Sequence, residues 1–152
     1  AGGIEPVFSM AEFYRYCKQN DIEIMPFAAL PRSACTVRDG TVYAVVLNFD
    51  RLRTVRQART VMAHESGHLH TGALHKVSSP FQLVAQSEHR ADADSFQRYL
   101  PPEEIRQAMQ KGYTETWQLA DYFDLDEDYI KKALHYWTEC RDVDFNQQPD
   151  GR

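Results

Sequence analysis

The residues best suited to chemistry are His64-Glu65-Ser66-Gly67-His68. Helix positions four apart project from one face, so both imidazoles can converge on a single point. Neutral imidazole is a good zinc ligand, with Zn–N distances of about 2.0–2.1 Å. Glu65 lies beside them and suits a general base that takes a proton from water and later delivers it to a leaving amine. A metal held there lowers the pKa of water toward about 7 and polarises a carbonyl. With only six histidines in the chain, composition alone produces this H-E-x-x-H pattern roughly 0.015 times, so the motif points to a metal. The competing reading is an amphipathic helix that carries its histidines on a polar face.

A catalytic zinc needs a third protein ligand and an open fourth position. The best candidate is Glu88, in the segment Glu88-His89-Arg90-Ala91-Asp92. Glu88, Ala91 and Asp92 share a helical face, and small Ala91 lets this helix approach the first closely. Asp92 can then accept a hydrogen bond from the second nitrogen of a ligating histidine. His89 and Asp94 point away from that face, and His70 is only two positions from His68. His70, His75, His89 and His135 are therefore expected to be solvated or locally hydrogen-bonded. Cys35 has no pattern that supports a nucleophile.

These residues need a scaffold. Ser9-Met10-Ala11-Glu12 has the form of a capping box, followed by Met10, Phe13, Tyr14 and Cys17 at helical spacing, which predicts a helix to Gln19. Ile22 to Phe27 reads as a strand. Cys35–Arg38 and Thr41–Phe49, joined through Asp39-Gly40, predict a hairpin with a type I′ turn. The stripe Val55, Ala58, Met62 and Leu69 predicts a long helix over about Leu52 to Leu74. Ser79, Pro80 and Gln82 open a further helix that Pro101-Pro102 stops at Leu100. Three more are predicted over Glu103–Lys111, Glu115–Phe123 and Asp126–Thr138, with Gly112 ending the first of these. A small antiparallel or mixed sheet followed by helices makes the fold class α+β.

One domain is expected over residues 1–152, with a catalytic core to about residue 112, a helical subregion over about 113–140 and a tail beyond. The formal net charge of −5 disfavours a surface built to hold phosphate backbones. Three scattered cysteines, Cys17, Cys35 and Cys140, form no C-x-x-C pair, which favours a reducing compartment, the cytoplasm. No apolar run is long enough to span a bilayer and no signal-peptide pattern opens the sequence, so no membrane association is expected.

Around the motif, the chain resembles the ImmA/IrrE family of metallopeptidases. Members carry a strand, then a helix with an A-H-E-x-G-H core, then a helix rich in E-x-x-A that ends near a proline. The matching stretches are Val45-Val46-Leu47-Asn48, Ala63-His64-Glu65-Ser66-Gly67-His68 and Glu88 to Pro101. By position, the resemblance implies a zincin-like peptidase with zinc held by His64, His68 and Glu88 and with Glu65 as base. It further implies a regulatory protease that cuts a helix-turn-helix transcriptional repressor. Two departures concern packing and substrate fit: Asp94 stands where many members have an aromatic, and Arg98-Tyr99-Leu100-Pro101 replaces Leu-Leu-Met-Pro. Strand Thr41–Phe49 directly precedes the metal helix. It is expected either to border the cleft and pair with an extended peptide, or to be an ordinary sheet strand.

Trp117 to Trp137 has the look of two helices around a short turn, as in DNA readers. The second opens with Asp126, Glu127 and Asp128 and offers only Lys131 and Lys132 as cations, so direct DNA binding is disfavoured. Leu119, Tyr122, Phe123, Tyr129, Ile130, Leu134 and Trp137 are expected to pack on the core or meet a protein substrate. Two rival functions remain: a DNA-associated regulator, or a non-catalytic binding module with a vestigial metal site. An intact Glu65 argues against the second, because structural zinc sites are closed by four protein ligands and need no adjacent carboxylate.

Overall fold

The computed structural model of the chain describes residues 7–74 and 81–146. Helix α1 (Met10–Gln19) starts where Ser9 accepts a hydrogen bond from the Glu12 amide. Strands β1 (Glu23–Pro26), β2 (Ala34–Asp39) and β3 (Val42–Leu47) follow, then helices α2 (Val55–Thr71), α3 (Phe81–Tyr99), α4 (Pro102–Gln110), α5 (Thr116–Phe123) and α6 (Glu127–His135). A π-helical turn, Tyr136–Cys140, continues α6 past its expected end at Thr138. The fold is α+β with a small mixed sheet.

The sheet order is β1-β3-β2, with β1 parallel and β2 antiparallel to the central β3. This corrects one expectation about the cleft. Both sides of β3 are taken by ladder hydrogen bonds, so Thr41–Phe49 cannot offer an edge to a peptide. The strand that borders the cleft is β2, whose outer side is unpaired among the described residues. The turn is also shifted by one residue. Asp39 pairs with Val42, so the central turn residues are Gly40 and Thr41. Gly40 alone has positive φ, +62°, which is the II′ rather than the I′ pattern.

Helix α2 begins at Val55 rather than Leu52, because Thr54 and Gln57 close a reciprocal capping box. It ends at Thr71 rather than Leu74, because Gly72 takes the left-handed conformation at φ +65°. Ser79 and Pro80, expected to open α3, lie outside the described residues, as does His75.

Helix α2 is largely buried, and its buried polar residues are matched accordingly. Arg59 donates to the Phe8 carbonyl at 2.7 Å and pairs with Asp124, while Thr60 accepts from the Asp126 amide at 2.9 Å. Val45 and Leu47 of β3 and Leu119, Phe123, Tyr129, Ile130 and Trp137 of the C-terminal part belong to the same hydrophobic cluster as Met62 and Ala63 of α2. Tyr122 and Leu134 pack against it, half-buried. Asp94 pairs with Arg98, and Tyr99 packs edge-on against Phe8 and bonds Ser66 at 2.7 Å.

The tightest contact lies between α2 and α3. A Cβ on Gly67 would meet the Ala91 carbonyl oxygen at 2.1 Å, a backbone atom that cannot swing aside. Gly67→Ala is therefore expected to destabilise the protein by about 1–3 kcal/mol or more, the range for overpacking. An unconstrained helical glycine would instead gain about 1 kcal/mol from alanine. Urea denaturation of the variant reads the sign directly, and a stabilised variant would refute the close approach.

Candidate metal centre

His64 and His68 lie one turn apart on α2, with ring centroids 4.9 Å apart and planes at 85°. Their Nε2 atoms face one carboxylate on α3: Glu88 Oε2 is 2.9 Å from His64 and Oε1 is 3.3 Å from His68. Each ring is fixed from behind. His64 Nδ1 is 2.8 Å from Asp92 Oδ1, and His68 Nδ1 is 2.6 Å from the Ala73 carbonyl oxygen. Those acceptors place the Nδ1 protons and turn each Nε2 toward Glu88, where it could ligate a metal once deprotonated.

Glu65 stands beside the histidines, and donor atoms of His64, Glu65 and His68 lie within 4.8 Å of one another. Two carboxylates thus compete for the place of third ligand. Glu88 is the nearer to both imidazoles, whereas one Glu65 oxygen takes a 2.6 Å hydrogen bond from the Thr36 hydroxyl. The donor set fits a zinc ion. Ligands with bonds of about 2.0–2.1 Å in tetrahedral array stand roughly 3.3 Å apart, close to the observed nitrogen–oxygen separations.

Electrostatics follow from three carboxylates around two imidazoles. Burial alone would depress His64, but its hydrogen bonds to Asp92 and Glu88, with the Glu65 charge, raise it from 6.5 to about 10. Burial likewise opposes protonation of His68, and Glu88 and Glu65 outweigh it, so its pKa is raised. Glu88, bonded to both rings, is held well below the usual carboxylate range.

The other candidates lie elsewhere. His70 packs on Tyr16, His89 faces Tyr136 with centroids 6.3 Å apart, and Asp94 pairs with Arg98. His135 lines a separate pocket with His89. Burial and the nearby Glu65 push the Cys35 thiol up, away from a nucleophilic thiolate, and the three cysteines are free. No helix among the described residues is long and apolar enough to cross a membrane.

Four participants escaped the sequence reading. Gly67 admits α3, Gly72 turns the chain so that the Ala73 carbonyl returns to His68, Ser87 donates to that same carbonyl at 2.7 Å, and Thr36 reaches Glu65. Gly72, just past the helix end, was a visible signal; Thr36, twenty-nine residues from Glu65, was not. The centre opens into a cleft of about 810 Å³ between β2, α2, α3 and the start of α6, where Asp128 and Lys132 form part of the wall. Tyr129 also lines it, but its hydroxyl bonds Ser95, which in turn donates to the Ala63 carbonyl.

No family model, curated protein or solved structure matches the chain.

Because a metal must displace the Nε2 protons, its binding is linked to pH. His64, raised from 6.5 to about 10, stabilises the metal-free fold below its ordinary pKa and loses that contribution as pH rises toward 10. Zinc affinity moves the opposite way and climbs over the same window. Calorimetry at pH 7.5 in two buffers of different ionisation enthalpy is expected to show about one to two protons released per zinc; no release would contradict the protonated pair. Asp92→Ala, which loses the acceptor behind His64, is expected to weaken zinc binding about 10–100-fold in chelator competition.

Proposed function

We propose that the protein is a zinc-dependent endopeptidase, with His64, His68 and Glu88 as metal ligands and Glu65 as general base. The observation that carries this reading is the division of labour between two carboxylates. Glu88 takes both Nε2 atoms, while Glu65, on the same helix as the histidines, is kept off that position by Thr36. A purely structural site has no use for a second, separately held carboxylate at its mouth.

Bound zinc would supply Lewis acidity toward a peptide carbonyl and ease deprotonation of water. Asp92 and the Ala73 carbonyl hold the two imidazoles in the ligating tautomer. Glu65 accepts the proton of the attacking water on its free oxygen. The water oxygen bonds to the carbonyl carbon, the carbon–nitrogen bond breaks, and the same carboxyl group returns the proton to the leaving amine.

The substrate is a protein segment in extended form. The unpaired side of β2 runs along the cleft, so a peptide strand can add to it through main-chain hydrogen bonds, with side chains entering the cleft alternately. The resemblance to ImmA/IrrE metallopeptidases makes a helix-turn-helix transcriptional repressor the first substrate to test.

Metal analysis by plasma emission, on protein purified without a chelator or histidine tag, is expected to find about one zinc per chain and a sharp fall in Glu88→Ala and His68→Ala. Wild-type protein that takes up no zinc when supplied with it would overturn the reading. Glu65→Gln is expected to keep its zinc while its turnover falls about 10²–10⁴-fold; a variant that still cleaves would remove Glu65 as base.

A further inference from the structure

We propose that Thr36, on the strand facing the metal helix, is a positioning residue for Glu65. Its hydroxyl holds one carboxylate oxygen and so aims the other at the water to be activated. The inference rests on the peptidase reading above and assigns a role within the same site.

Thr36 Oγ1 lies 2.6 Å from Glu65 Oε2. An ionised carboxylate only accepts, so the hydroxyl donates. The register explains why Thr36 and not a neighbour does this. Thr36 pairs with Val45, which is fully buried, so both side chains share the sheet face that packs on α2. The next residue, Val37, points to the opposite face and is 45% exposed.

A bland account of this bond is that a buried carboxylate has simply found a donor. The burial argues otherwise. Glu65 is 4% exposed, and Thr36 is its one hydrogen-bond partner among the described residues. The two imidazoles beside Glu65 attract its charge but give it no hydrogen bond among the described residues, so the Thr36 hydroxyl is the contact that sets the direction of its oxygens. The arrangement gains its sense from what it leaves free: one oxygen is pinned, the other has no hydrogen-bond partner among the described residues, and the residue lines the cleft beside the two histidines.

The physical need is clear from the side chain itself. Glutamate has several rotatable bonds, and a general base acts only within hydrogen-bond reach of the proton it abstracts. A misplacement of about 1 Å in a reacting group can cost on the order of 10²-fold in rate. Fixing the carboxylate from β2 also ties the base to the strand along which the peptide is proposed to lie.

The test compares Thr36→Val, which keeps the shape and removes the hydroxyl, with Thr36→Ser, which restores a donor. In metal-free protein, the ¹³C resonance of the Glu65 carboxyl carbon, assigned by its loss in Glu65→Gln, is expected to move in Thr36→Val and return toward its wild-type position in Thr36→Ser. In zinc-loaded protein, with a quenched-fluorescent peptide library as the substrate, Thr36→Val is expected to lower kcat about tenfold or more. Its KM and zinc content should stay near wild type, and Thr36→Ser should recover most of the rate. An unmoved resonance, a Thr36→Val enzyme as fast as wild type, or a Thr36→Ser enzyme as slow as Thr36→Val would overturn the role. The two readings fail separately. Zinc-loaded wild type that is inert toward the library and toward casein removes the peptidase reading together with this role, whereas active wild type matched by Thr36→Val removes the role alone.

Discussion

The contact on which the site depends is the approach of α3 to α2 at Gly67. No side chain separates the two backbones there, and the Ala91 carbonyl occupies the space that a Cβ would need. Gly67 lies between Ser66 and His68, and Ala91 lies between Glu88 and Asp92 in the next helix. Bringing these two points together places Glu88 across from both Nε2 atoms and Asp92 behind His64. A wider separation would leave Glu88 short of one imidazole, because its two oxygens span both. The H-E-x-x-H spacing brings two imidazoles together; the missing side chain at its fourth position supplies the third donor.

The charge inventory of the centre then has a simple logic. Glu65, Glu88 and Asp92 face two imidazoles that carboxylates hold toward the protonated form. Two imidazolium charges and one divalent cation bound to two neutral imidazoles carry the same total. A divalent metal bound there would therefore replace two protons without changing the net charge of the site. The His64–Glu88 and His68–Glu88 separations of 2.9 and 3.3 Å in the protonated state are close to what a zinc ion would require of its donors. The carboxylate behind His64 serves both states, as a counter-ion in one and as the acceptor that fixes the tautomer in the other.

How much of this was legible in the sequence depended on whether the determinant was local. The i, i+4 histidines, the face shared by Glu88, Ala91 and Asp92, and the Ser9 cap are one-element properties, and each was readable from spacing. The order of the strands was not, because it depends on which side of β3 each neighbour takes, and nothing in Thr41–Phe49 records that. Thr36 was invisible for the same reason: its partner is fixed by the hairpin register and by the packing of the sheet on α2. Asp39-Gly40 fits the I′ pattern, but Asp39 pairs with Val42 and only Gly40 in the turn takes positive φ, so the turn is Gly40-Thr41, the II′ choice with glycine at the first central position. Gly72 is readable as a helix end, whereas the apolar stripe, whose last member is Leu69, does not itself fix the terminus.

The C-terminal helices bear on the site more directly than their distance along the chain suggests. Arg56 and Arg59 of α2 bond to Asp121 and Asp124 at the end of α5, and Thr60 receives the amide of Asp126 as α6 begins. Thr60 is one turn before His64, so the start of α6 is tied to α2 just below the first ligand. Further along, Tyr129 bonds Ser95 of α3, whose hydroxyl donates to the Ala63 carbonyl beside His64. Trp137 closes the far end with a 2.8 Å bond to the Leu100 carbonyl. The acids that open α6 thus have an architectural place: Asp126 and Asp128 stand on the wall of the cleft, with Lys132 one turn on from Asp128. Acid at a helix N-terminus is favourable on dipole grounds, and here that preference also sets the charge of the wall opposite β2.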